Sequence, residues 1–177
     1  MATRILKTAS LFLLLATLTG CPGGDDDCFD YGSTTRVDNL LKLTPLQTTY
    51  NQGQIVTFKI LVPATNSYFG EELNLFEKTN DFEAFILTSY SSLFTNNEVT
   101  FIKGSQGNEI NWFNVPYNNI TNIYEFEVNI KLNRIGLYVL YTNDYLLFQG
   151  STKCNRYRLD TNIEGWNSDG KIEFTVQ

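Results

Sequence analysis

Tyr124-Glu125-Phe126-Glu127-Val128-Asn129-Ile130-Lys131-Leu132-Asn133-Arg134-Ile135-Gly136-Leu137-Tyr138 is the stretch on which the fold turns. Its first part sets Tyr124, Phe126, Val128, Ile130 and Leu132 on one side and Glu125, Glu127, Asn129 and Lys131 on the other. A period of two is that of a strand with one face on a core and the other in water, whereas a helix would repeat its apolar residues at three and four. The same alternation appears on both sides of it. Val56, Phe58, Ile60 and Val62 alternate with Thr57, Lys59 and Leu61 after the turn signal Asn51-Gln52-Gly53, and Pro63 closes that strand. Residues 137–142 predict another strand. Residues 171–176 predict a last one, with Ile172, Phe174 and Val176 inward after the turn Asn167-Ser168-Asp169-Gly170. Weaker strands are expected over 37–43, 73–77, 85–88 and 99–102, and a short helix over 80–85. The frequent Asn residues suit turns, and no repeat of 20 to 50 residues is visible. The expected fold class is all-β.

The second part, from Leu132 through Gly136 to Tyr138, resembles the tyrosine corner of immunoglobulin-like sandwiches. In that family a Tyr at the start of strand F hydrogen-bonds back across the corner to the chain before it. The resemblance gives this role to Tyr138, with Gly136 opening the strand, and implies a single immunoglobulin-like antiparallel β-sandwich. The position two residues on, a cysteine in antibody-type domains, is Leu140 here, so the inter-sheet disulfide is not expected. A jelly roll or another sandwich is the alternative.

The chain begins with Arg4 and Lys7, an apolar run over 9–18, and the small pair Thr19-Gly20, the three-part layout of an export signal. The run is about half of what a membrane-spanning helix needs. Leu18-Thr19-Gly20-Cys21 is similar to the lipobox of bacterial lipoproteins, which implies cleavage before Cys21 and acylation of its thiol. Two or more acyl chains give stable anchoring where one is marginal. The alternative is an ordinary thiol beside a general secretory cleavage site. Pro22-Gly23-Gly24-Asp25-Asp26-Asp27 offers nothing to pack, so residues 21–35 are expected to be a lipidated cysteine and acidic tether, with the sandwich over 36–177. An acidic cluster in this place also resembles the surface-export signal of Bacteroidota-type lipoproteins. It implies an outer-membrane protein displayed at the cell surface, with a periplasmic spacer as the alternative.

Removing 20 of 177 residues leaves 157, enough for one domain with a real core. Eleven basic against nineteen acidic groups then remain, a net charge of −8, which disfavours nucleic acid as a partner. The sequence has no histidine, and so lacks the commonest general acid-base and the usual zinc ligand. With Cys21 acylated, Cys28 and Cys154 form an even pair in an oxidising compartment and are expected to be disulfide-bonded. A loop of more than a hundred residues puts the chain-entropy gain at about 4 to 5 kcal/mol; two free thiols are the alternative. The bridge would leave six free tether residues, reaching about 20 Å.

Trp112 and Trp166 are the only tryptophans and both stand among amides, in Asn111-Trp112-Phe113-Asn114 and Gly165-Trp166-Asn167. Such aromatic platforms suit sugar stacking, with Tyr117 joining Trp112 if that stretch is a loop; the alternative is that each caps an end of the sandwich. Glu71-Glu72 and Glu125/Glu127 reach glycosidase spacing, but alternate strand positions do so by accident. Asn167 to Gly170 with Glu173 offers too few oxygens for calcium and reads as a turn. Arg156 and Arg158 form a local basic cluster, for an anion, for the Asp run, or as a plain surface pair. No catalytic residue, metal or cofactor is expected. The leading expectation is a non-catalytic, lipid-anchored module that recognises a protein or glycan through its loops. A structural accessory subunit of an envelope assembly, held by a flat strand face, is the alternative, and an enzyme the third.

Overall fold

The computed structural model describes residues 32–141, 143–151 and 155–177. The export signal, Cys21, the Asp25 to Asp27 run, Cys28 and Cys154 lie outside the described residues. In chain order the elements are β1 (Ser33–Arg36), β2 (Leu41–Thr44), β3 (Thr49–Tyr50), β4 (Ile55–Pro63), β5 (Thr65–Asn66), β6 (Leu73–Asn74), α1 (Leu75–Thr79), β7 (Glu83–Leu87), α2 (Ser91–Thr95), β8 (Glu98–Lys103), β9 (Ser105–Gln106), β10 (Trp112–Asn118), β11 (Ile123–Lys131), β12 (Gly136–Tyr141), β13 (Asp144–Gln149), β14 (Arg156–Thr161) and β15 (Lys171–Val176). Among the described residues no helix is long and apolar enough to cross a membrane.

The alternating stretch that decides the fold is β11, and it organises the sheets. One of its edges pairs with β4 along its whole length, Ile123 opposite Pro63 through Lys131 opposite Ile55. The other edge is shared: β10 takes Ile123 and Tyr124, and β8 takes Glu127 to Lys131, with a bulge between Glu127 and Val128. The continuous path β1-β14-β13-β7-β10-β11-β4-β2, with β8 on β11 and β9 on β10, therefore folds over on itself at the β10–β11 hairpin. Within it, β2-β4-β11-β8 has the A-B-E-D order of an immunoglobulin-like sheet. The facing sheet follows C-F-G, with β7 as C, β12 then β13 as F, and β14 then β15 as G. The protein is an all-β, immunoglobulin-like sandwich with additions: β9 and β10 beyond β7, and two parallel pairs, β1 on β14 and β3 on β15.

The inward positions of both layers meet in one core. Phe58 packs edge-on against Phe126 at 6.2 Å, and Phe113 lies 5.4 Å from Phe126, ring centre to ring centre. All three are fully buried. Tyr138 is buried too, stacked on Phe174 at 5.0 Å. Its hydroxyl reaches the Arg134 carbonyl and Asn97 Oδ1, each at 3.1 Å, across the corner between β11 and β12. Gly136, at φ +128, opens β12. Asn97 Oδ1 keeps the Asn133 and Arg134 amides whatever happens at 138. Tyr138→Phe is thus expected to cost about 1 to 2 kcal/mol, the loss of the phenol's hydrogen bonds without a cavity; urea unfolding measures it.

Several expected elements differ from those found. The strand expected over 37–43 begins only at Leu41, because Asn39 turns the chain in the left-handed region at φ 66 and only Leu41 onward pairs with β4. The tether expected to run to residue 35 gives way to β1 at Ser33, which pairs with Tyr157. The strand expected over 73–77 stops at Asn74, whose side chain accepts from the Glu77 amide and starts α1. The helix expected over 80–85 is instead α1, which ends at left-handed Asn80, and β7 begins at Glu83. Glu125, expected in water, is 8 % exposed and held by Lys103 Nζ at 2.7 Å and Asn118 Nδ2 at 3.2 Å. Burial pushes its carboxyl up, but those hydrogen bonds win and hold it below the usual range.

Candidate functional site

Cross-strand register fixes which side chains share the outer face of the β10-β7-β13-β14 layer. Trp112 opposes Leu87, which opposes Tyr145, which opposes Asp160. In the next row Asn114 opposes Phe85, which opposes Leu147, which opposes Arg158. Their neighbours in sequence, Ala84, Ile86, Phe113, Val115, Leu146, Phe148 and Leu159, fill the core, so these rows point away from it. The outer face is consequently half apolar. Leu147 is only 5 % exposed yet stands apart from the core cluster. Arg158 lies 3.9 Å over the Tyr145 ring and reaches Asp160 at 2.7 Å, which edges this surface with charge.

At the other edge Trp112 and Phe85 are stacked, ring centres 4.8 Å apart and planes within 9°. A recess of about 370 Å³ opens beside them, lined by Glu83, Phe85, Asn108, Trp112, Asn114 and Gln149 together with Gly107. The strand β9 and the loop after it close one wall. Gly107 N donates to the Trp112 carbonyl at 2.8 Å, and Gln106 Nε2 to the same oxygen at 2.9 Å. Asn114 Nδ2 donates to Ser105 Oγ at 3.1 Å, which leaves its amide oxygen directed by a fixed partner. The lining thus combines aromatic rings with three primary amides, and of its side chains only Glu83 is ionisable. Rings and amides of this kind can stack against and hydrogen-bond a polar surface, and the lining side chains include no paired acid and base.

The sequence-derived candidates separate. Trp112 stands on a strand and not in a loop, and Tyr117, five positions on, points to the other face. There it stacks on Phe76 at 4.1 Å and donates to Asn122 Oδ1 at 2.8 Å. Trp166 is 37 % exposed, in the turn before β15, with its amide on the Ile163 carbonyl. Neighbouring Asn167 accepts the Asp169 and Lys171 amides and shapes that turn. Asp169 and Glu173 both face Lys171, at 3.9 and 3.0 Å. Glu127 is paired with Lys59 at 2.8 Å and Glu125 with Lys103, so that acidic pair is neutralised by lysines. Phe85, Asn108 and Gln149 went unread as site residues. The signal for Phe85 was present, since Phe85 and Leu87 alternate with Ala84 and Ile86 and make β7 apolar on both faces.

The chain matches no known protein family and no curated protein. Among solved structures it is similar to the second immunoglobulin domain of the mouse polymeric immunoglobulin receptor. That likeness has 12 % identity and a TM-score of 0.20, and covers 76 % of this chain and all of that one. At so low a similarity the sandwich is identified by its own strand order.

Proposed function

We propose that this chain is a non-catalytic, lipid-anchored glycan-binding module of the cell envelope, of the Bacteroidota lipoprotein type. It is held at the outer membrane through Cys21 and displayed at the cell surface. The observation that carries the reading is the Trp112–Phe85 stack beside the amides of Asn108, Asn114 and Gln149. The recess is more polar than apolar, two aromatic rings among three amides and a carboxylate, and a pyranose ring, hydroxyl-rich with one apolar face, matches an indole in size and in that face. Apart from Gly107 and Asn108 in the loop after β9, the site lies on a sheet face, where backbone ladders hold its geometry. The parallel register of β1 on β14, Ser33 opposite Tyr157, supports a Cys28–Cys154 disulfide, since the chain enters both strands at the same end.

Glycan arrays and affinity electrophoresis test the reading. Trp112→Ala is expected to weaken retention by the bound glycan at least tenfold while the far-ultraviolet spectrum stays that of the parent. Unchanged retention by that variant would remove the site. The second reading, an accessory subunit of an outer-membrane assembly, is favoured by the outer stripe of β12, where Leu137 is 67 % and Tyr141 60 % exposed. Copurification with one membrane protein at fixed stoichiometry would select it.

A further inference from the structure

One end of the sandwich carries exposed apolar side chains on firmly held backbone, and the chain enters the domain at that end. Strand directions establish this. β1 starts at Ser33 opposite Tyr157, the start of β14, and β14 pairs antiparallel with β13 so that Gln149 opposes Arg156. β7 and β13 are antiparallel, as are β7 and β10, which puts Glu83, Gln149 and Asn118 at the same end as Ser33. The turn between β10 and β11 belongs to this end as well.

Ile120, at the apex of that turn, is 89 % exposed, and Phe82 just before β7 is 63 % exposed. Neither sits on a loose loop. Asn118 Oδ1 accepts the Ile120 and Thr121 amides at 3.0 and 3.3 Å, and the Asn122 amide donates to the Asn118 carbonyl at 2.8 Å. Beside Phe82, the Asp81 carboxylate accepts the Gln149 amide at 2.7 Å and the Glu83 amide at 3.1 Å, while the Phe82 carbonyl accepts from Tyr117 at 2.9 Å. Phe82 continues into an aromatic series, edge-on to Phe76 at 4.8 Å, with Phe76 stacked on Tyr117. Backbone turns fixed this well, holding apolar side chains out into solvent, give up the usual means of hiding them.

We propose that this end docks on the lipid surface, with Ile120 and Phe82 entering the headgroup and upper acyl region. The inference rests on the lipid anchor at Cys21. Ser33 is twelve positions after Cys21, so the end through which the chain enters stays within about 40 Å of the bilayer however the tether runs. Rings and branched aliphatics at such a surface partition into the interface. The charges nearby are mostly acidic, Glu77, Asp81 and Glu83 against Lys78, so the attraction is apolar and does not draw on an anionic lipid.

The test uses the full-length lipidated protein reconstituted in phosphatidylcholine vesicles whose acyl chains carry bromine, a short-range quencher of indole emission. Ile120→Trp supplies a reporter at the docking end and Leu137→Trp one at the far end, both at exposed positions; the emission of the parent is subtracted from each. The expected result is that the Ile120→Trp signal falls at least twofold and shifts to the blue, while Leu137→Trp is unchanged. Equal quenching at the two positions in protein that floats with the vesicles overturns the docking and leaves the anchor standing. If the parent does not float and Cys21→Ala behaves like it, the anchor has failed and the docking with it.

Discussion

Asp144→Asn is expected to melt about 10 °C above the parent at pH 8, and to show little of the parent's loss of stability between pH 4 and pH 8. Asp144 opens β13 on the inward side and is 1 % exposed. It stands in a polar row laid across the sheet: Thr161 opposes it on β14, and on its other side the chain leaving β7 carries Thr88, whose amide donates to the Asn111 carbonyl. Its Oδ1 accepts the Ser89 amide at 3.3 Å, but its Oδ2 has no hydrogen-bond partner, and neither have Thr88 Oγ1 and the Tyr90 hydroxyl. No lysine or arginine is paired with it among the described residues. Burial therefore drives the carboxyl up to about 8, against the pull of the Ser89 amide and the nearby Tyr90 phenol. The unfolded chain releases the proton near 3.8 and the folded chain near 8, so the folded state binds more protons between those values and stability falls as pH rises through the window. Four units of difference amount to about 5 kcal/mol at the upper end. Asparagine keeps the acceptor for Ser89, adds a donor for Thr88 or Tyr90, and has nothing to ionise. Thermal melts at half-unit steps of pH measure both slopes; a variant that melts below the parent at pH 8 would contradict the assignment.

Gly104→Ala is expected to cost about 3 to 4 kcal/mol, the sum of left-handed strain and overpacking. Gly104 sits at φ +85 where the chain leaves β8 and hooks on to β10 as β9. A Cβ there would run into the carbonyl oxygen of Asn114, and would stand 2.7 Å from Cδ2 of Phe126. The first is strand backbone and the second a fully buried core ring, so neither can withdraw. Gly53 separates the two contributions, because it has φ +83 but nothing within 4 Å of the added atom. Gly53→Ala should cost only the strain, about 1 kcal/mol. Denaturant midpoints of the two variants decide it, and equal losses would mean that the crowding at Gly104 relaxes away.

The strands legible from alternation alone are those with one wet face. β4, β11 and β15 bury every second residue and are flanked by turns, so their period survives in the chain. β10, β13 and β14 were not legible, and each for a physical reason. β13 reads Asp-Tyr-Leu-Leu-Phe-Gln, with Leu147 buried on the outer face between Phe85 and Arg158, so no alternation marks it. In β14 the outer positions are Arg156, Arg158 and Asp160, all half-buried, the last two ion-paired beside the Tyr145 ring, and the charges hide a strand with Leu159 in the core. β10 holds Pro116 and two asparagines, the residues of a loop, but Pro116 comes at the end of the β7 ladder. The site suffers the same loss. Trp112 was visible because tryptophan is rare, whereas Phe85 and Gln149 lie 27 and 37 positions away in sequence and reach it only through strand pairings that no single segment encodes. Tyr138 lies at the other extreme, since its acceptor at Arg134 is four residues away.

The parallel pairing of β1 with β14 also sets how the domain bears load. A pull on the chain ahead of Ser33, directed away from the end where it enters, runs along the axis of β1 and so acts across the Ser33 to Arg36 ladder all at once. Ladders stressed lengthwise share the force among their hydrogen bonds, whereas ladders stressed from one side open like a zip, one bond after another. β14 is in turn pinned by β13 over six positions, and β13 by β7. Tension arriving through the N-terminus is shared between this shear clamp and the start of β14, to which the proposed Cys28–Cys154 bridge would carry it, and the sheet that presents Trp112 and Phe85 is the body in which both are set.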